Sequence, residues 1–209
     1  MPARAYHEEL WSEVPGGLTP ADFERRLRFV RGHAPAGTRL LDVGCGEAAF
    51  ASALAAGGAS VTGIDVAQEP LRRAAERDPS LDLRLVEAEG APWPLADAEF
   101  DVVWAGEVIE HVADTAGWMS EVRRVLRSGG TLLLSTPDHG ALTRLVLGLS
   151  PRAFDRRFDP RSDHLRFYTR RTLATLLADL RFEDVRFAGL GGMPGARRTL
   201  LASARRARF

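Results

Sequence analysis

Apolar residues gather in short dense runs, and the segments between them carry helical spacing. Arg39 to Val43 (RLLDV), Ser60 to Asp65 (SVTGID), Leu81 to Val86, Phe100 to Trp104 (FDVVW) and Thr131 to Ser135 (TLLLS) predict five buried strands. Between them, Ala48 to Ala56, Ala67 to Arg77 and Asp114 to Leu126 predict helices. Asp78-Pro79 stops the second of these, and Ser128-Gly129-Gly130 closes the third, which turns Trp118, Val122, Val125 and Leu126 inward. Strands alternating with helices imply an α/β fold whose sheet is mostly parallel and covered on both faces.

The flanks follow other patterns. Ala5 to Glu13 and Thr19 to His33 read as two helices, broken apart by Pro15-Gly16-Gly17. The second has Thr19 as N-cap and Pro20 at the first helical position, with Phe23, Leu27 and Val30 on one face. After Thr136-Pro137 the alternation lapses. Asp138 to Tyr168 holds a short apolar helix, Ala141 to Leu149, then Pro151, Pro160 and several charges. A stretch of that length is too long for a plain connection and reads as a lid or binding segment. Arg170 to Asp179 is helix, and Phe182 to Phe187 and Thr199 to Ala204 are strands. The expected organisation is one domain over residues 1–209, with a helical cap at 1–36 and a substrate-side insertion at 137–169.

Composition narrows the class. A chain of 209 residues with 45% hydrophobic residues suits one globular domain with a real core. Met1 to Glu13 is polar and no apolar run reaches the 18 or so residues of a membrane span, so the expectation is a cytoplasmic protein without membrane contact. Cys45 is the sole cysteine, which rules out an internal disulfide framework. The 28 basic residues are all arginine and are balanced by 28 acids, so the basic footprint of a nucleic-acid binder is absent overall. Five arginines without an acid between Gly195 and Phe209 are the one local exception, and such a run is most simply a solvated face.

Candidate chemistry starts at LLDVGCG, Leu40 to Gly46. A strand, then Gly-x-Gly, then a helix brings backbone close to a nucleotide-like ligand. Ala49 stands where a dinucleotide fingerprint has its third glycine, and the negative charge of Glu47 opposes a pyrophosphate at the helix start. An uncharged or zwitterionic ligand therefore fits better than NAD. Asp65 ends the second strand, where an acid suits both ribose hydroxyls. Glu87 ends the third, where it could accept from an adenine amine. Gly44 and Gly46 could instead serve only a tight turn, and Asp65 only a helix cap.

LLDVGCGEAAF, VTGIDVA, EAEGAPWPLADAEFDVVWAGEVIEHV and EVRRVLRSGGTLLLSTP, in this order and spacing, resemble the class I S-adenosylmethionine-dependent methyltransferases over roughly Thr38 to Val185. The resemblance implies a Rossmann-like seven-stranded sheet with the last strand antiparallel. It implies S-adenosylmethionine across the carboxyl ends of the first strands. Asp42, Gly44, Cys45 and Gly46 would border its methionine part, Asp65 and Val66 the ribose, and Glu87 and Ala88 the adenine. Glu107 would face the reacting methyl. The sequence departs from the family at Ala48, where glycine is common, and at Glu87, where aspartate is; Glu89 could take the adenine role instead.

GEVIEHVAD, Gly106 to Asp114, sets Glu107, Glu110 and His111 at spacings i, i+3 and i+4. On a helix the three would share one face, like the inward Glu-x-x-His pattern of carboxylate metal sites. His164, in SDHLRFYT, is the best fourth ligand, and His139, in STPDHG, the second. The arrangement is similar to that of the ubiquinone-biosynthesis O-methyltransferases and of the small-RNA 2′-O-methyltransferases. That resemblance implies a divalent metal on Glu107, Glu110, His111 and His164, and two carboxylates with two imidazoles suit Mg²⁺ or Mn²⁺. Without metal, His111, His139 or His164 could act as general base, and the catalytic candidates are His111, Glu107 and His164. The expected acceptor is a small-molecule hydroxyl, with Tyr6, Trp11, Phe23, Phe29, Phe154, Phe158, Phe167 and Tyr168 capping its pocket. An RNA 2′-hydroxyl, or a non-catalytic role in binding S-adenosylmethionine, are the alternatives.

Overall fold

The computed structural model of the protein describes residues 3–87, 90–193 and 196–208, so Ala88 and Glu89 lie outside the described residues. The chain opens with α1 (Ala3–Glu13) and α2 (Phe23–Arg31). It continues through β1 (Arg39–Val43), α3 (Ala49–Ala55), β2 (Ser60–Asp65), α4 (Gln68–Arg77), β3 (Asp82–Leu85), β4 (Phe100–Gly106), α5 (Thr115–Val125) and β5 (Leu126–Pro137). The insertion holds α6 (Ala141–Leu149) and α7 (Pro151–Arg157), and α8 (Arg170–Asp179), β6 (Phe182–Leu190) and β7 (Thr199–Arg206) complete the chain.

Three elements depart from the pattern-based expectation. Helix α2 begins at Phe23, because Asp22 turns left-handed at φ 51° and Phe23 N–H is spent on the Pro20 carbonyl at 3.2 Å. Thr19 and Pro20 belong to the turn before it. Strand β5 starts at Leu126 and takes in Ser128-Gly129-Gly130, with an irregular register against β4 between Phe100 and Val102. Helix α7 was not expected. Pro151 opens it, where a missing N–H is harmless, and the Ser150 hydroxyl accepts from Ala153 N–H.

The seven strands form one sheet in the order β3-β2-β1-β4-β5-β7-β6. β1 to β5 pair in parallel, and β7 runs antiparallel to both neighbours. The strand order reverses between β1 and β4, and a crevice opens beyond their carboxyl ends. Period-two alternation supplies both faces of the sheet. On one, Leu27 and Val30 of α2 and Phe50 and Leu54 of α3 cover Leu40, Trp104 and Leu133. On the other, Met119 and Val122 of α5 and Leu173 and Leu177 of α8 cover Leu41, Val103 and Leu134. Trp104 is fully buried, with the Phe50 ring at 5.4 Å and the Phe29 ring at 6.5 Å. Among the described residues, no helix is long and apolar enough to cross a membrane.

Trp104 joins the sheet to both helices of that face, so Trp104→Ala leaves a cavity between them. The expected loss is about 3–5 kcal/mol of unfolding free energy in urea titration; a loss under about 1 kcal/mol would show that the layer repacks.

Candidate active site

The crevice is built first from backbone. Gly44 and Gly46 after β1 sit at φ 67° and 52°, and Ala48 at 58°. This left-handed bend at Ala48 is one that glycine adopts without strain. Gly44 and Cys45 give their N–H groups to the Ile64 carbonyl at 2.8 and 3.1 Å. A Cβ on Gly44 would stand 2.6 Å from the Val108 side chain, and one on Gly46 would stand 2.9 Å from the Trp11 indole. Asp65 fastens the loop from β2: one carboxylate oxygen accepts Gly46 N–H and the other Ala67 N–H, both at 2.9 Å. Asp42 is 2% exposed and its Oδ2 has no hydrogen-bond partner. Burial first, and the charge of Asp65 second, push its carboxyl up to about 8. Burial, then Asp42, also raise the Cys45 thiol, which makes it an unreactive packing group.

A cavity of about 530 Å³ follows. Val66, Val86, Trp93 and Trp118 line the part beside β2, β3 and α5; Gly44, Ile64 and Asp65 line its floor; Glu107, Val108, His111 and Asp163 line the part beyond β4. His7, Leu10, Trp11 and Val14 of α1 and the turn after it close it over. Glu87 is exposed and does not line the cavity, and neither do Phe154, Phe158, Phe167 or Tyr168. Tyr168 is buried in the core instead.

Polar contacts hold α1 in place. The Glu8 carboxylate accepts from Gln68 N–H at 2.6 Å and Glu69 N–H at 3.2 Å, at the positive end of α4. Arg73 donates to the Trp11 and Val14 carbonyls at 3.2 and 2.9 Å, capping the other end of α1. Glu47 points away from the cavity, accepts from Gly17 N–H at 2.7 Å and pairs with Arg73 and Arg77. Burial raises its carboxyl, but the Gly17 bond and the two guanidiniums together hold it below the ordinary value.

The segment after β4 is not a helix. Glu107 is left-handed at φ 58°, and Val108 to His111 form one turn closed by His111 N–H to the Val108 carbonyl at 2.9 Å. The expected common face therefore splits. Glu107 turns to Arg26 of α2, whose Nη2 lies 3.1 Å from its Oε1 and which is 4% exposed. Glu107, expected as one of four metal ligands, lies outside the group of converging donor atoms. Glu110, His111 and His164 remain together, with one ligand atom from each within 4.8 Å of the others. Glu110 is fully buried and neither carboxyl oxygen has a hydrogen-bond partner. Burial, then the charge of Glu107, push it up to about 8. Its main-chain carbonyl accepts Leu165 N–H at 2.8 Å and Arg166 N–H at 3.1 Å, which brings the His164 ring to 4.8 Å from the His111 ring. Burial, then His111, lower His164.

His111 Nδ1 lies 3.1 Å from the Asp163 carbonyl and 3.3 Å from its carboxylate. Asp163 and Arg26 were missed in sequence. Asp163 adjoins His164 in SDHLRFYT, so the signal was present, whereas nothing marks Arg26 among the other arginines. His139 sits apart, with its Nδ1 on the Tyr168 carbonyl at 3.2 Å.

A family model described as a methyltransferase domain matches residues 41–134. The chain is 41% identical over 128 residues to a ubiquinone biosynthesis O-methyltransferase of Thiobacillus denitrificans, across 58% of this chain and 54% of that protein. It is 34% identical over 164 residues to one from Methylococcus capsulatus, across 76% and 69%. It thus spans between about half and two thirds of the length of these relatives. A SAM-dependent methyltransferase structure from Methanosarcina mazei superposes with TM-score 0.63 at 24% identity, over 87% of this chain and 98% of that one. The chain belongs to the class I S-adenosylmethionine-dependent methyltransferases. Its residues fit the cofactor: left-handed glycines press the backbone to the cavity, and a buried Asp42 oxygen beside them lacks a partner.

The folded values of Asp42 and Glu110, near 8, lie above their unfolded ones, so the native state holds protons that the unfolded chain releases. This stabilisation is full below about pH 4 and is lost as pH rises through 8, at up to about 1.4 kcal/mol per pH unit for each group. Glu110→Gln keeps the shape and cannot ionise. In metal-free buffer its stability relative to the unsubstituted protein should grow steadily from pH 5 to pH 8, and parallel curves would refute the buried proton.

Proposed function

We propose that the protein transfers a methyl group from S-adenosylmethionine to a hydroxyl of a small molecule, with His111 taking the hydroxyl proton. The observation that carries this is the His111–Asp163 pair at the cavity wall. Asp163 fixes Nδ1 as the protonated nitrogen and leaves Nε2 as acceptor. The names of the relatives, O-methyltransferases, support a hydroxyl acceptor.

Gly44, Cys45 and Gly46 would pass the methionine part, with Asp42 below it. Each Asp65 oxygen keeps a lone pair beyond its backbone bond and would accept a ribose hydroxyl. Val66, Val86 and Trp93 would flank the adenine. Bound S-adenosylmethionine would supply an electrophilic methyl with a neutral thioether as leaving group, and His111 Nε2 would take the proton released by the acceptor hydroxyl. Glu107, fixed by Arg26, would stand beside the reacting centre, where the cation's charge disperses. The rate would come mainly from alignment and exclusion of water.

Glu110, His111 and His164 also fit a divalent ion, because their donor atoms converge and two buried carboxyl oxygens stand unpartnered. Mg²⁺ or Mn²⁺ there would lower the acceptor's pKa and orient it.

Calorimetry should show S-adenosylmethionine binding that Asp65→Ala weakens by about tenfold or more; absence of binding would overturn the reading. Against a panel of phenols and catechols, His111→Ala should lower kcat about 10²- to 10⁴-fold with cofactor affinity unchanged. Binding without turnover on any acceptor would favour a non-catalytic role. Activity lost in EDTA, restored by Mn²⁺ and absent in Glu110→Gln would assign the ion to this cluster; full activity in EDTA would leave His111 as base alone.

A further inference from the structure

We propose that Arg157, on the insertion, is a specificity-determining residue that receives a carboxylate carried by the methyl acceptor. The proposal rests on the methyl-transfer reading above and adds the chemical class of the acceptor: a hydroxyl compound bearing a negative charge.

The guanidinium is aimed by a histidine. His139 is 5% exposed, and its backbone N–H and Nδ1 both meet the Tyr168 carbonyl, at 3.1 and 3.2 Å. Nδ1 therefore carries the hydrogen and Nε2 presents a lone pair. Arg157 spends Nε and one Nη2 hydrogen on that lone pair, at 2.9 and 2.7 Å. Burial first, and the charge of Arg157 second, push His139 down to about 4, so it stays a neutral acceptor. The Phe167 ring backs the guanidinium at 5.9 Å from its centroid.

The other edge of the fork is left over. Among the described residues no carboxylate lies within 4 Å of Arg157, and Nη1 has no hydrogen-bond partner, whereas Arg26, Arg73 and Arg124 are all paired with acids. An arginine held by one edge and free along Nη1 and Nη2 presents the geometry that takes a carboxylate in two parallel bonds.

The setting relates it to the groups after β4. The acids whose charge acts on Arg157 are Glu110 and Glu107, the groups after β4. Glu107 is already paired with Arg26, and among the described residues neither acid comes within 4 Å of Arg157. The same insertion returns through Asp163 and His164 to His111. Arg157 is thus a cation fixed by His139 within electrostatic reach of Glu110 and His164, just outside the cavity lining, and without a carboxylate partner among the described residues.

The test uses the protein saturated with S-adenosylhomocysteine and two probes that differ in charge alone, 2-hydroxybenzoate and 2-hydroxybenzamide, titrated by calorimetry at low ionic strength. The expected result is about tenfold or tighter binding of the benzoate. Arg157→Gln should abolish that preference and leave the benzamide and S-adenosylhomocysteine affinities unchanged. Arg157→Lys should restore part of it, which a purely structural role would not do. Equal affinities for the two probes, absence of binding by either, or an equal loss for both in the two variants would overturn the proposal. A protein that binds S-adenosylhomocysteine yet ignores the charge defeats this inference alone. One that does not bind S-adenosylhomocysteine defeats the reading beneath it.

Discussion

The crevice depends on one carboxylate bridging two strands. Asp65 ends β2, yet its side chain holds the backbone that leaves β1 at Gly46 and the backbone that enters α4 at Ala67. Remove it and two N–H groups in a largely enclosed site lose their acceptor, at about 1–3 kcal/mol each. The Ile64 carbonyl, which accepts from Gly44 and Cys45, and the Ala48 N–H to the Cys45 carbonyl fasten the glycine loop further. A group that both shapes the loop and faces the cavity ties the geometry of the site to its chemistry, because its remaining lone pairs point where the loop has made room.

Around that bridge four acids are buried or half-buried, and the fold neutralises them in different ways. Glu47 meets two arginines and a backbone N–H, Glu107 meets Arg26, and Asp42 and Glu110 keep protons. The difference decides function. Paired acids are fixed charges, and the Glu47 pair closes α1 over the cavity. Protonated acids with unpartnered oxygens are unfinished, and each stands where a ligand would complete it: Asp42 under the glycine loop, Glu110 beside two imidazoles. Leaving such oxygens bare is costly in a low-dielectric interior, so these two unpartnered carboxyls, buried behind the cavity lining, are a stronger pointer to ligands than the cavity itself.

Much of the sheet was legible in the sequence because parallel strands buried on both faces are short apolar runs, and those runs stand where the strands are. The glycine loop and Asp65 were legible for a related reason: their roles are set by backbone geometry and by position at strand ends. The segment GEVIEHVAD was misread because its spacing suits a helix, while its shape is decided by a left-handed bend at Glu107 that spacing does not encode. Arg26 and Arg157 were not singled out for a different reason, whereas Trp11, expected to cap the pocket, does line it. In a chain whose every basic residue is arginine, only tertiary packing tells a fixed guanidinium from a solvated one.

The insertion shows how acceptor choice can change without disturbing the cofactor side. Helix α6 buries none of its residues, and Leu145 and Leu149 are 56% and 76% exposed, so apolar packing of α6 does not hold the segment down. Backbone bonds from Leu165 and Arg166 to the Glu110 carbonyl and from His139 to Tyr168 do, together with the buried Tyr168 side chain and the Arg166 guanidinium on the Val112 and Ala113 carbonyls. None of these anchors is made by the side chains of Asp163, His164 or Arg157. Asp163, His164 and Arg157 can therefore be exchanged while the return path stays fixed, whereas Asp65 or Gly44 cannot change without moving the loop they define. A fold divided this way keeps one donor and admits many acceptors. On the proposed reading the acceptor's identity would be set by a few insertion side chains, and Arg157 is among them a guanidinium fixed by His139 with no carboxylate partner among the described residues.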